Sequence, residues 1–202
     1  MTHLLIYRKS GGITALKGST LLPGNLLSKN VSTPLPTDVE KGDYDFQVLK
    51  PDANDGLEWE QSYGGSSHDY AEAIQQTDDG GYVVAGYSKS SDGDTGKNKV
   101  SWDVWVAKID AHGELEWEQS YTGFSRGYVE SIRQTSSRGY ILAGFTEHAG
   151  KDKGDYNFWV LILDAKGALE WGQSFGGSSY DYAEFILLTS DGVIFSPVFR
   201  IF

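Results

Sequence analysis

Three glutamates recur at regular distances along the chain, and their chemistry suggests a first candidate site. Glu72, Glu130 and Glu184 are separated by 58 and 54 residues. If they line a common axis, their carboxylates could hold a hard cation, because such cations prefer oxygen ligands. A glutamate that occurs once in each structural unit can also accept hydrogen bonds from the neighbouring unit. The sequence favours this second, structural interpretation.

A second group of acidic residues lies in one polar loop. Asp92 and Asp94 belong to segment 92–96, and Asp103 follows shortly after it. Side-chain and backbone oxygens of such a loop could bind calcium. The segment lacks the complete Asp-x-Asp-x-Asp-Gly pattern and its distal glutamate, and the corresponding segment 150–155 contains two lysines. We therefore expect a solvated turn, and calcium is the one cofactor that the sequence leaves open.

Tryptophans form the third group of candidates. Most of them recur at the same two offsets, and this regular phase predicts core positions and packing between units rather than a sugar-binding surface. Trp102 is outside the phase, has no counterpart at the third-strand position and lies near the polar loop. We predict that Trp102 is exposed and could contact a ligand. The tryptophans in phase are Trp59, Trp117 and Trp171, together with the pair Trp105 and Trp159.

The sequence names no catalytic residue. It contains no cysteine, which excludes thiolate catalysis and cysteine-ligated metals. His3, His68, His112 and His148 do not have metal-ligand spacing. No nucleophile elbow or phosphate-binding loop occurs, and the many carboxylates follow from composition alone. We therefore expect a protein that is not an enzyme.

The candidates are positioned by an internal repeat. Segment 58–63 recurs at 116–121 and again at 170–175, and many other positions keep the same two offsets. The difference of four residues between the offsets lies in the polar stretch 88–101. Insertions collect in exposed loops, so this stretch is predicted to be a loop. Glycine-bounded, aromatic-rich segments predict four strands in one unit, at 70–77, 82–88, 103–110 and 115–121.

Four strands in meander order, repeated about every 55 residues, suit a blade of a β-propeller. We therefore predict an all-β fold, a partial propeller of four-stranded antiparallel blades, with a β-solenoid as the alternative. The region 41–202 divides into two complete blades, at 70–121 and 128–175, and two half blades, at 41–63 and 182–202. Residues 1–40 match nothing in the repeat and are expected to be irregular or poorly ordered, apart from a strand near residues 4–7.

Propellers usually contain about four to eight blades, so this count does not close a ring. The chain would then be a fragment, an open arc or half of an assembly. A homodimer of two such chains would complete a ring of six blades. An open arc also exposes apolar faces and strand edges, which predicts association.

The repeat carries a recognisable set of motifs over about 160 residues. They include Trp59 with Tyr-Gly-Gly at 63–65, Asp-Gly-Gly-Tyr at 79–82 and Trp-Val-x-Lys-x-Asp at 105–110. This pattern resembles a repeat of secreted and surface β-propeller-like proteins of bacteria and archaea. The resemblance implies an extracellular or cell-surface location and carries over no catalytic residue. Residues 110–117 are also similar to the tryptophan-docking repeats of quinoprotein propellers, but the chain offers no ligand set for a quinone.

Charge narrows the choice of partners. The net charge of −11 and the isoelectric point of about 4.7 make nucleic acids and anionic membranes unsuitable partners. The sequence contains no run of 18 apolar residues, the length needed to span a bilayer, and no signal peptide is visible in the first residues. We expect an interaction module that holds a protein or a glycan through its loop face. The alternatives are a carbohydrate-binding module, or a fragment of a propeller hydrolase or quinoprotein that lacks its catalytic blades.

Overall fold

The computed structural model describes 5–8, 12–14, 44–52, 54, 56–96, 102–123, 128–147, 156–176, 180–183, 186–188, 194–195 and 198–201. Over these ranges the fold is all-β, apart from one short 3-10 turn at Gly93–Thr95. This confirms the all-β prediction. No helix within these ranges has the length and apolar character needed to cross a membrane. The strands are β1 (Leu5–Arg8), β2 (Gly12–Thr14), β3 (Phe46–Pro51), β4 (Leu57–Tyr63), β5 (Asp69–Gln76), β6 (Tyr82–Ser88), β7 (Asp103–Ile109), β8 (Leu115–Tyr121), β9 (Tyr128–Gln134), β10 (Tyr140–Glu147), β11 (Tyr156–Leu163), β12 (Leu169–Phe175), β13 (Tyr180–Ala183), β14 (Leu187–Leu188), β15 (Ile194–Phe195) and β16 (Val198–Ile201).

Two of the sheets are four-stranded antiparallel meanders. The second sheet has the strand order β5-β6-β7-β8, and the third sheet contains β9 to β12 in the same arrangement. The strand boundaries agree with the predicted strands to within one residue. All seven residues of β7 are buried, as expected for a strand with apolar residues on both faces. The repeat therefore corresponds to one antiparallel four-stranded sheet.

The first sheet has four strands rather than the two predicted for a half blade. Strands β3 and β4 occupy the third and fourth positions, as the repeat predicts for 41–63. The other two positions are filled by β1 and β2, in the order β2-β1-β3-β4. Strand β1 lies where the sequence indicated a strand near residues 4–7. The remaining residues of segment 1–40 are outside the described ranges.

The C-terminal hairpin consists of β13 and β14 paired with β16 and β15. Its register repeats that of the second sheet. Tyr182 pairs with Phe199 as Tyr70 pairs with Tyr87, at equivalent repeat positions. The far end of the hairpin matches in the same way, since Leu188 pairs with Ile194. The hairpin therefore has the backbone pattern of the first and second strands of a fourth unit.

β-Bulges account for a glycine that recurs in the second and third sheets. The pairing of β5 with β6 shifts between Ala71 and Ala73, so Glu72 is the extra residue of a bulge. Opposite this bulge, a Cβ atom at Gly86 would overlap the carbonyl oxygen of Tyr70. Glycine is required at position 86 because two backbones approach too closely for a side chain. The third sheet repeats the feature at Gly144 and Tyr128.

The core lies between successive sheets. Phe46 of β3 packs edge to face against Trp105 of β7, with ring centroids 4.3 Å apart. Trp105 and Trp159 are fully buried, as the repeat phase predicted. The first strands of neighbouring sheets are also joined, since the side-chain oxygen of Gln75 accepts a 2.7 Å hydrogen bond from the backbone N–H of Gln134. Burial of these faces requires adjacent sheets, because the second sheet contributes buried apolar residues to one cluster shared with the first sheet and to another shared with the third.

The outer strand of each of the first two sheets contacts a turn of the following sheet. Trp59 of β4 donates from its indole Nε1 to the carbonyl oxygen of Ala111, 3.1 Å away. In the next sheet, the Trp117 ring lies against Gly167, where a Cβ atom would come within 2.7 Å of the indole. Tyr121 donates to the carbonyl oxygen of the same glycine at 2.6 Å. These contacts place one tryptophan on the turn between the third and fourth strands of the neighbouring sheet.

Candidate functional site

Trp102 belongs to a group of aromatic rings at one edge of the second sheet. Its ring centroid lies 5.4 to 6.1 Å from those of Tyr87, Tyr70 and His68. Trp102 is therefore half-buried among other rings rather than an isolated exposed residue. It also has counterparts, which corrects the expectation that it falls outside the repeat. It directly precedes Asp103, as Tyr44 precedes Asp45 and Tyr156 precedes Asn157.

The second and third sheets each contribute aromatic residues from three positions at the same edge, and the first sheet contributes Tyr44. These positions are the start of the first strand, the end of the second strand and the start of the third strand. They meet because successive strands of an antiparallel meander run in opposite directions. We call the resulting cluster the aromatic stripe. Its members are Tyr44, His68, Tyr70, Tyr87, Trp102, Tyr128, Phe145 and Tyr156.

The aromatic stripe is continuous across three sheets. Tyr44 of the first sheet stacks on Tyr70 of the second, with centroids 5.4 Å apart and ring planes inclined by 24°. Tyr87 of the second sheet meets Tyr128 of the third edge to face at 5.3 Å. Every member of the stripe is partly exposed to solvent. A ligand that runs along this edge would therefore meet aromatic side chains from all three sheets.

Ring orientation decides which chemistry the stripe offers. Tyr128 and Phe145 are stacked at 4.8 Å with their planes 22° apart, and His68 and Trp102 are inclined by only 20°. Faces that stack on one another are partly covered, so ring edges and phenol hydroxyls form much of the accessible surface. Lys89 adds a positive charge, with its Nζ 5.8 Å from the Trp102 ring centroid. The edge thus combines apolar contact with hydrogen-bonding groups and one ammonium.

Two of the loop aspartates predicted as possible calcium ligands accept hydrogen bonds from backbone N–H groups. Asp92 accepts a 2.7 Å hydrogen bond from the backbone N–H of Ser66, and hydrogen bonding to Ser66 lowers its pKa. Asp94 accepts from the N–H of Gly64 at 3.3 Å, and its own N–H donates to the carbonyl oxygen of Gly64 at 2.8 Å. These hydrogen bonds connect the loop after β6 to the loop after β4. Asp103 is 5% exposed, and burial raises its pKa.

The recurring glutamates occupy bulges at the inner strands. Glu130 has the same place in β9 that Glu72 has in β5, since the pairing of β9 with β10 shifts at this point. Glu130 is exposed and Glu72 is half-buried. Glu184 lies outside the described ranges. Within the ranges that the structure describes, no three His, Cys, Asp or Glu side chains form a group suited to a metal ion. Both cation sites stay predictions from the sequence.

The tryptophan of the third outer strand does not follow the other two. Trp171 is 44% exposed, whereas the repeat phase predicted a packing position. Phe175 of the same strand is 40% exposed, although the equivalent Tyr63 and Tyr121 are 5% and 6% exposed. The physical reason is that the turn covering the earlier positions comes from the third and fourth strands of the next sheet. In the described part of the chain, the C-terminal hairpin supplies only the positions of the first two strands.

The class of this protein is defined by its fold alone, which is all-β with repeated antiparallel four-stranded sheets. No protein-family model and no curated protein matches the sequence. Among solved structures, a protein of unknown function from Bacteroides caccae is similar over 96% of this chain, with 12% identity and a TM-score of 0.46. The chain spans 64% of the length of that protein.

Proposed function

We propose that the chain is a non-catalytic interaction module that holds a protein ligand along the aromatic stripe. The observation that carries this proposal is the continuity of partly exposed rings across three sheets. Aromatic side chains supply large contact area at low conformational cost, and they are enriched in protein-binding surfaces. The stripe also lies at an edge from which loops leave the sheets, where binding residues are commonly found. By its resemblance to surface repeat proteins, the module acts outside the cell or on its surface.

A partial β-propeller is the arrangement that we propose for the sheets. Each complete sheet is a meander whose strands follow one another in sequence, as in a blade. The first strands of successive sheets lie side by side, with β5 against β9. The outer strand of one sheet contacts a turn of the next. A β-solenoid would instead distribute one repeat over several stacked faces, which fits a four-stranded meander less well.

A protein ligand suits the stripe better than a glycan. Sugar rings stack on open aromatic faces, and here Tyr128 with Phe145 and Tyr44 with Tyr70 stack on one another. Ring edges and hydroxyls instead fit the apolar side chains and backbone groups of a peptide. The net charge of −11 favours a ligand that is neutral or basic. Glycan binding is the second candidate and is distinguished by experiment.

Array binding with the full chain tests this proposal. The purified chain is applied to an array of neutral and basic peptides and to a glycan array, beside Trp102→Ala and Tyr70→Ala. We expect peptide signals that both substitutions reduce about tenfold or more, because Trp102 and Tyr70 lie at the centre of the stripe. Leu57→Ala is the matched control, since Leu57 is 49% exposed on β4 and outside the stripe. A glycan signal that depends on Trp102 would establish the second candidate. Binding signals that neither substitution changes would contradict ligand binding at the aromatic stripe.

A further inference from the structure

Three polar side chains form a row near one edge of the second sheet, on the face turned to the first sheet. Asp69 of β5 pairs with Ser88 of β6, and Ser88 pairs with Asp103 of β7. Residues directly opposite one another in an antiparallel sheet point to the same face. Two residues further along these strands, Ala71 and Trp105 belong to the apolar cluster shared with the first sheet. The row therefore lies at the junction of the first and second sheets.

Both carboxylates of this row are buried and incompletely hydrogen-bonded. Asp69 is 1% exposed and Asp103 is 5% exposed. Oδ2 of Asp69 accepts hydrogen bonds from the N–H of Gly65 at 2.9 Å and from the hydroxyl of Ser90 at 2.8 Å. Within the described ranges, the buried Oδ1 of Asp69 and the buried Oδ2 of Asp103 have no hydrogen-bond partner. The oxygens of an ionised carboxylate can only accept, so each of these two atoms needs a donor or a cation.

The row also lacks a compensating positive charge. Neither Asp69 nor Asp103 forms an ion pair with a residue that the structure describes, since the ion pairs there are those of Lys50 and Lys108 with other carboxylates. Burial raises the pKa of both carboxyl groups, although hydrogen bonds to Asp69 act in the opposite direction. Burial of an uncompensated charge is costly, so two carboxylates in one row require a cation or a proton.

The other copies of this row in the repeat are neutral or carry a basic residue. In the third sheet the equivalent residues have no charge; they are Gly127, Thr146 and Asn157. In the C-terminal hairpin, Asp181 pairs with Arg200, which occupies the position of Ser88. One carboxylate is there opposite one guanidinium in the register of the strands. The second sheet differs from both copies, because its row has two carboxylates and no basic residue.

We propose that Asp69 and Asp103 bind one calcium ion at the junction of the first and second sheets. A divalent cation neutralises both carboxylates at once. Calcium prefers oxygen ligands and tolerates variable geometry, whereas magnesium requires a nearly ideal octahedron. The hydroxyls of Ser88 and Ser90 and water supply further oxygens, and Ser90 already lies within hydrogen-bonding distance of Asp69. Because only two carboxylates take part, we expect a dissociation constant between about 10⁻⁵ and 10⁻³ M.

This assignment changes the partners of Asp103 in the calcium site that the sequence suggested. Asp92 and Asp94 each accept a hydrogen bond from a backbone N–H group of the loop after β4. Asp103 instead lies in one row with Asp69, which is distant from it in sequence. None of the rings of the aromatic stripe belongs to the row, so the proposal does not depend on ligand binding at the stripe. The ion would join the starts of β5 and β7 and should therefore stabilise the fold.

Calcium titration of the full chain tests the proposal. The chain is freed of metal with EGTA and titrated with calcium chloride in a calorimeter, and its thermal unfolding is followed with and without calcium. We expect one ion per chain and a higher unfolding temperature in calcium, because the folded state binds the ion. Asp69→Asn and Asp103→Asn should each raise the dissociation constant about tenfold or more. Asp92→Asn is the control and should leave the constant unchanged, because an amide oxygen can still accept the hydrogen bond from Ser66.

Stability without calcium separates ion binding from a purely structural role of the same carboxylate. In EGTA, Asp103→Asn should unfold at a temperature equal to or above that of the wild type, because it removes an uncompensated buried charge. Asparagine already occupies the equivalent position 157. In saturating calcium the order should reverse. Calcium that neither releases heat nor shifts unfolding of the wild type, or that stabilises both row variants equally well, would overturn the proposal. A calcium response lost only in Asp92→Asn would place the ion in the loop and overturn it too.

Terbium binding to the wild-type chain provides a test that needs no folded variant. Terbium binds at calcium sites and emits light when it is excited through a nearby tryptophan, and Trp105 is two residues from Asp103. We expect sensitised emission that excess calcium displaces, and its absence would contradict the site. Array binding at the aromatic stripe is measured with other variants, so failure of either proposal can be recognised.

Discussion

The hydroxyl group of Tyr121 allows a direct test of how one sheet is held to the next. It donates a 2.6 Å hydrogen bond to the carbonyl oxygen of Gly167. Tyr121 is 6% exposed and Gly167 is buried, so water does not readily replace a lost donor. A hydrogen bond between neutral groups contributes about 1 kcal/mol net, but a buried acceptor left without its donor costs about 1–3 kcal/mol. We therefore expect Tyr121→Phe to lower the free energy of unfolding by about 2 kcal/mol.

Urea titration followed by tryptophan fluorescence measures this change, and the dependence on urea should keep its slope because the exposed surface is the same. Phe175→Tyr is the matched control at the equivalent position of the third sheet. Phe175 is 40% exposed, so an added hydroxyl meets solvent and should change stability by less than about 0.5 kcal/mol. Comparable losses in both variants, or a Tyr121→Phe protein as stable as the wild type, would contradict this account of the junction.

The same residue predicts a dependence on alkaline pH. Burial raises the pKa of Tyr121 above the ordinary value of 10.0, and the negative charges of Asp164 and Glu118 raise it further. The unfolded chain therefore loses this proton at a lower pH than the folded chain does. The contribution of the protonated phenol to stability is complete below pH 10 and is lost as the pH rises beyond it. The difference in stability between the wild type and Tyr121→Phe should shrink above pH 10, and paired urea titrations on either side of that pH measure it.

Three further substitutions test the second sheet and the turn between its first two strands. Gly86→Ala should lower the free energy of unfolding by about 3 kcal/mol or more, because the added Cβ would overlap the carbonyl oxygen of Tyr70. Gly80→Ala is the control, since nothing lies within 4 Å of the added Cβ and only the φ angle of +86° is unfavourable. It should lower the free energy of unfolding by only about 1 kcal/mol, and thermal or urea titration measures both changes. Lys108→Met should flatten the loss of stability in acid, because the buried Lys108 ammonium lies 3.0 Å from Asp79 and 2.8 Å from Glu116. Although burial acts to raise it, hydrogen bonds from Thr77, Gly81 and Lys108 lower the pKa of Asp79 to about 2. Its stabilising contribution is therefore present above the ordinary pKa of 3.8 and is lost as the pH falls towards 2, which acid titration of both proteins checks.

Strand positions could be predicted from the sequence because the repeat supplies several independent copies of each pattern. Boundaries such as those of β6 and β8 follow from turn glycines and from alternation of apolar and polar residues. The completion of the first sheet by β1 and β2 could not be predicted, because neither strand shares a motif with the repeat. Their pairing depends on the open edge of β3, which exists only once the sheet has formed.

The aromatic stripe was missed for a different physical reason. Tyr70, Tyr87 and Trp102 are far apart in sequence and meet only because the meander brings alternate strand ends to one edge. A signal was present, since an aromatic residue directly precedes Asp45, Asp103 and Asn157. Residues 44, 102 and 156 keep the same offsets of 58 and 54 residues as the recurring tryptophans, but only one of the three is a tryptophan. Comparing aromatic character rather than tryptophan identity at these positions would have revealed the equivalence.

The two edges of each sheet have different roles. This difference determines which controls a binding experiment needs. A third strand begins at the stripe and ends at the turn that covers the tryptophan of the preceding sheet, so the stripe and the covering turns lie at opposite edges. The stripe nevertheless bridges sheets, because Tyr44 stacks on Tyr70 and Tyr87 contacts Tyr128. Removal of one ring should therefore cost about 1 kcal/mol of stability in addition to any effect on binding. Loss of binding in Trp102→Ala supports the stripe as a ligand site only if the variant still unfolds in a single transition at a urea concentration close to that of the wild type.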